Sequence, residues 1–154
     1  MNRLLAIALV TILFTTSCSK LKEVDVRDMK VTKFELINTT TANIHIEYLI
    51  ENPSGRTISV LSADGILKKR GVNFAYATLI SADEITPKMA SINGIVFRIE
   101  ISDPLSLLAM GLNVSKWDLD EFLLDGVFTL KVSGARRRTL KYKDVPLENI
   151  INAL

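Results

Sequence analysis

Ile44-His45-Ile46-Glu47-Tyr48-Leu49-Ile50-Glu51 alternates strictly, with Ile44, Ile46, Tyr48 and Ile50 on one side and His45, Glu47, Leu49 and Glu51 on the other. A period of two is the mark of a strand with one buried face and one wet face. Asn52-Pro53-Ser54-Gly55 then breaks it, because proline offers no amide hydrogen to a ladder and glycine tolerates a positive backbone dihedral. Upstream, Val31 to Ile37 predicts a first strand, separated from the second by the polar turn Asn38-Thr39-Thr40-Thr41. Downstream, three more strands are predicted over about Ile58 to Lys69, Asn73 to Ile80 and Ser91 to Ile101, with turns at Arg70-Gly71 and around Pro87.

The period changes after Ile101. Asp103-Pro104 has the form of an N-cap followed by a first-turn proline, and Leu105, Leu108 and Leu112 fall at helical spacing, which predicts a short helix. Two last strands, about Phe122 to Ser133 and Arg137 to Val145, are joined through Gly134. Runs of this kind predict an all-β fold: a seven-stranded immunoglobulin/fibronectin III-like β-sandwich with one short helix before the last two strands. The immunoglobulin disulfide is absent, since Cys18 is the only cysteine.

The order and spacing of several short motifs resemble the late embryogenesis abundant type 2 domain, also called the water stress and hypersensitive response domain. These are the alternating strand ending in Asn52-Pro53, then Asp64-Gly65-Ile66-Leu67, Gly71 opening the next strand, Ile85 and Pro87 before the run Ile92 to Ile101, and the leucine helix. Ser54 stands where the family often has a further asparagine. The resemblance covers residues 30 to 145 and implies a seven-stranded sandwich with a helix. It brings no catalytic residue set, and it implies a small exported lipoprotein of the bacterial kind.

The amino terminus points the same way from its own chemistry. Arg3 precedes an apolar run from Leu4 to Phe14, followed by Thr15-Thr16-Ser17 and Cys18. Such a run reaches roughly 16 Å as a helix, against about 30 Å of bilayer hydrocarbon, and Lys20 and Lys22 prevent its extension. The segment therefore reads as a secretory signal, residues 1–17, and it resembles a bacterial lipoprotein signal, with Thr15 where leucine is usual and Ser17 fitting the small last position. Cys18 is the expected lipidation site, carrying a diacylglyceryl group on sulfur and an acyl group such as palmitate on the new amino terminus. Two or more chains, at about 0.8 kcal/mol per buried methylene, hold a protein stably on a membrane that it does not cross. Residues 18–29 read as the lipidated N-terminus and tether, reaching roughly 35 Å if extended, and residues 30–154 as the sandwich domain.

Charge gives little. The chain has 19 Lys plus Arg against 17 Asp plus Glu, which argues against nucleic acid as a partner. Arg136, Arg137, Arg138, Lys141 and Lys143 form the one basic cluster and are the candidate surface-contact residues, read either as a contact to anionic headgroups or as a solvated hairpin tip that discourages edge pairing. Asp118, Asp120, Glu121 and Asp125 form the densest acidic group, but their spacing fits no EF-hand, and the expectation is a solvated segment in which Asp118 or Asp120 caps a turn. His45 is the single histidine and is expected to face solvent from its strand. Trp117 is expected to cover the core beside the helix.

There is no Gly-x-Ser-x-Gly elbow and no glycine-rich phosphate loop, and a lone histidine would have to serve every triad. The sequence thus leads to a non-enzymatic, lipid-anchored envelope protein, with no catalytic residues, metal or cofactor expected. Its partners are expected to be the membrane, through the anchor, and another envelope protein or lipid. A lipid or hydrophobic-ligand binder using a groove of the sandwich is the alternative, with Leu49 and Ile95-Val96-Phe97 as the residues that favour it or that mark a strand covered on both faces. Ser19 follows Cys18 where aspartate signals inner-membrane retention in many Gram-negative bacteria, so the periplasmic face of the outer membrane is the expected location.

Overall fold

The computed structural model describes residues 24–87, 90–111, 113 and 116–152. Seven strands form: β1 Asp25–Leu36, β2 Thr41–Glu51, β3 Ile58–Lys69, β4 Val72–Ala82, β5 Ala90–Ile101, β6 Phe122–Val132 and β7 Arg138–Pro146. Helix α1, Pro104–Met110, and a 3-10 turn, Leu119–Glu121, lie between β5 and β6, and α2, Leu147–Asn152, follows β7. Every neighbouring pair is antiparallel, in the order β1-β2-β5-β4-β3-β6-β7. Odd-numbered strands therefore run one way and even-numbered strands the other. One end gathers the start of β1 and the β2–β3, β4–β5 and β6–β7 connections; the opposite end gathers the remaining connections and α1.

The sandwich arises because β3 and β4 part company. Their ladder runs from Lys69–Val72 to Asp64–Thr78. Beyond it, the first half of β3 stays with β6, and the second half of β4 stays with β5 across a register shift between Leu79 and Ser81. Such shifts bend and twist strands, so β1, β2 and β5 face β3, β6 and β7 across a core. Val24, Tyr48, Ile50, Ile58, Ile85 and Val132 fill it at the first end. A two-way backbone bridge between Ile58 and Ile85 (3.0 and 2.9 Å) ties the β4–β5 connection across the gap. Phe74, Ala75, Ile101, Leu107 and Phe122 fill the core at the opposite end.

The alternation of Ile44, Ile46, Tyr48 and Ile50 is realised as the inward face of β2, with Tyr48 and Ile50 buried. One expectation is corrected. β1 begins at Asp25, so residues 25–29 belong to the first strand rather than to a tether, and residues 18–23 lie outside the described residues. The cause is pairing: Asp25, Val26 and Arg27 ladder with Glu51, Ile50 and Leu49, and Val26 and Met29 pack against the core. The missing period comes from the register shift between Arg27 and Lys30, with Asp28 in the left-handed region at φ 51°.

The short helix forms where the spacing predicts it, as α1. Asp103 caps it as expected, accepting from Ser106 N–H at 3.0 Å. The buried residue, however, is Leu107 at 5% exposure, while Leu105 and Leu108 are 77% and 71% exposed. Leu112 lies outside the described residues. In a helix of two turns the connection geometry decides which side faces the sheet, and Leu107 with Met110 is the pair that meets Phe74 and Phe122.

Candidate functional site

The end from which the chain runs back towards Cys18 is built around Asn52. Its side chain is fully buried, and its amide donates to the carbonyls of Arg56 (2.7 Å), Ile85 (3.3 Å) and Thr86 (3.2 Å). Its oxygen accepts from Ser54 Oγ (2.6 Å) and Ser54 N–H (3.2 Å). One residue thus fixes the β2–β3 turn and pins it to the β4–β5 connection. The β2–β3 turn is in turn bonded to the β6–β7 turn, since Ser133 N–H donates to Thr57 O (2.9 Å) and Thr57 N–H to Ser133 Oγ (3.2 Å). Val24 is buried in the same cluster as Ile58 and Val132.

The basic cluster is divided by this frame. Arg136 and Arg137 are exposed in the β6–β7 turn, beside Arg56 across the Thr57–Ser133 bonds. Arg138 opens the β7 ladder opposite Leu130, and Lys141 pairs in register with Val127 farther along the exposed edge, with Lys143 beyond it. The five residues therefore do not form one patch; the arginines of the turn sit at the Val24 end and the lysines run along the edge. Cys18, and residues 1–17 before it, lie outside the described residues.

The acidic group divides: Asp118 and Asp120 are exposed, as expected, whereas Glu121 and Asp125 are half-buried in ion pairs. Asp118 precedes the 3-10 turn but its side chain makes no capping bond, which corrects that expectation. Glu121 accepts from Arg70 Nε at 2.8 Å and pairs with Lys69 at 3.7 Å. Asp125 pairs with Lys68 at 2.5 Å and accepts from Asp144 N–H at 2.7 Å. The Asp144 amide first, and Lys68 second, hold the Asp125 carboxyl below its ordinary range, while the Asp125 carboxylate first, and the Asp144 carboxylate second, raise Lys68. Among the described residues, no group of His, Cys, Asp and Glu converges in the way a metal ion needs.

His45 lies on the outward face of β2, with Nε2 4.0 Å from Glu35. Trp117 stacks on Phe122 (centroids 5.5 Å, 20°) and meets Phe74 edge-on (5.9 Å, 84°), and its indole N–H donates to Gly111 O at 2.9 Å. It covers the core beside α1. Leu49 is half-buried on the outer face, in register with Ile92; Ile95 packs on the core. A depression of about 340 Å³ opens over the middle of β4, β3 and β6, lined by Asp64, Ile66, Tyr76, Val127 and Tyr142 around Gly65 and Gly126. Among the described residues, no helix is long and apolar enough to cross a membrane.

No family model matches this chain, and no curated protein matches it. Among solved structures, a protein from Archaeoglobus fulgidus is similar over 77% of this chain and 97% of its own, at 12% identity and a TM-score of 0.49. The GAE domain of yeast GGA1 is similar over 84% of this chain and 95% of its own, at 11% identity and a TM-score of 0.30. Likenesses this distant carry no function to the chain, and its fold rests on the strand pairing described above.

Proposed function

We propose that this chain is a lipoprotein of the bacterial envelope, anchored through Cys18, whose late embryogenesis abundant type 2-like sandwich acts by binding another envelope component rather than by catalysis. The observation that carries the reading is the position of Cys18: it ends an apolar leader too short to span and stands six residues before Val24, a buried core residue. Fully extended, the intervening residues reach about 20 Å, so an acylated Cys18 holds the sandwich close to the lipid. Support for a binding role comes from where the reactive side chains are used. Lys68 and Asp125 tie β3 to β6, Lys69 and Arg70 are paired with Glu121 of the 3-10 turn, and among the described residues His45 lies 4.0 Å from Glu35.

The test is Cys18→Ser in the full-length chain, read by membrane fractionation and by mass spectrometry of the mature amino terminus. The native protein is expected in the detergent phase with a lipid-modified Cys18, and the variant in the soluble fraction or retained as unprocessed precursor without lipid. A variant that is processed and still fully membrane-bound overturns the reading.

A further inference from the structure

The β6–β7 turn has a sequence property that its position makes useful. From Gly126 to Lys143 the chain carries six basic residues and no carboxylate, and residues 52–58 carry Arg56 and no carboxylate. The Thr57–Ser133 bonds bring these two stretches together, so exposed Arg56, Arg136 and Arg137 share one corner of the sandwich. That corner is at the end where Val24 leads back to Cys18. Among the described residues, the carboxylates at this end are Asp25, which pairs with Arg27; Asp83 and Glu84 on the β4–β5 connection, which accept from Gly94 N–H and Ser59 Oγ and keep their charge; and Asp28 and Glu51, which belong to β1 and β2.

An edge-guarding role does not account for these arginines. The β7 ladder begins at Arg138, opposite Leu130, so Arg136 and Arg137 precede the strand edge, whereas Lys141 and Lys143 lie along it where a charge blocks pairing. We propose that Arg56, Arg136 and Arg137 form a foot that seats on the anionic phosphates of the membrane holding the anchor. This rests on the anchoring reading above. Guanidinium groups present paired donors that match phosphate oxygens. Screening confines the attraction to about 8 Å at physiological ionic strength, and a connection of residues 19–23 keeps this end within reach. The sandwich then stands on the lipid by this corner, with α1 and its exposed leucines directed away.

The experiment uses the full lipidated protein in vesicles of phosphatidylcholine alone and of equimolar phosphatidylcholine and phosphatidylglycerol, followed by hydrogen exchange. Exchange over residues 133–137 is expected to slow about fivefold or more in the anionic vesicles, to recover at high salt, and to show no slowing in Arg56→Gln/Arg136→Gln/Arg137→Gln. Amides of β2 serve as the internal control for folding, and if the triple variant fails that control, the salt dependence of the native protein decides. Equal exchange over residues 133–137 in both vesicles, with the protein still anchored, overturns the foot alone. Absence of lipid on Cys18 overturns the anchoring reading and the foot with it.

Discussion

Asn52 shows how much of a structure one residue can hold. In the sequence Asn52-Pro53 is legible as a strand breaker, and it does end β2 at Glu51. Its partners Ile85 and Thr86, over thirty residues away, leave no local trace. Asn52→Ala removes donors to three carbonyls and the acceptor for Ser54, and is expected to destabilise the fold by about 2–4 kcal/mol, measured by urea unfolding. Titration adds a second expectation at this scale. Ser106, by hydroxyl and amide, holds Asp103 below the ordinary carboxylate value, as the Asp144 amide and Lys68 hold Asp125. Groups depressed on folding contribute stability above about 3.8, the value of the unfolded chain, and lose it as pH falls through the lower folded values. The melting temperature is therefore expected to drop on acidification below pH 4, and less steeply in Asp125→Asn. Lys68, raised on folding, contributes below about 10.5 and loses its contribution as pH rises beyond its folded value.

At the scale of elements, α1 separates what periodicity can say from what it cannot. Asp103-Pro104 fixes where the helix starts, because capping is local chemistry. Which side is buried depends on how Ile101 and Phe122 deliver the chain to and from the sheet, and it is Leu107, not the spaced leucines Leu105 and Leu108, that is buried. Leu107→Ala is expected to cost about 2–4 kcal/mol by calorimetry or urea unfolding, whereas Leu105→Ser and Leu108→Ser are expected to lie within about 0.5 kcal/mol of the native protein. Equal losses at all three positions would contradict the helix orientation. β1 teaches a related lesson: alternation identified its second half, but the register shift between Arg27 and Lys30 hid the first. β6 has a tight point of its own, since a Cβ at Gly126 would lie 2.9 Å from the Phe128 ring. Gly126→Ala is expected to displace that ring and weaken its edge-on contact with Tyr142 (5.7 Å), seen as loss of the Tyr142 near-ultraviolet signal.

For the whole molecule, the alternating strand directions create two unlike ends. One holds Val24, the Asn52 hub and the arginine turns; the other holds α1, Trp117 and the Arg70–Glu121 pair. On the proposed periplasmic face of the outer membrane, the domain in intact cells is expected to survive added protease until the outer membrane is permeabilised; digestion in unbroken cells would place it outside. By itself the sequence determined the all-β class, the strand positions from β2 onwards, the cap of α1 and the glycine turns at Gly71 and Gly134, because each depends on side-chain period or on backbone freedom within a few residues. It also supplied Arg136 and Arg137 of the foot, within a cluster that included Arg138, Lys141 and Lys143, but it did not single out Arg56. Only the tertiary structure decided that β3 and β4 diverge into two layers, that Leu107 rather than Leu105 and Leu108 meets the core, and that Arg56 joins Arg136 and Arg137 at the Val24 end while Lys141 and Lys143 do not. Each of those outcomes is set by hydrogen bonds and packing between residues far apart in the chain, which no local pattern encodes.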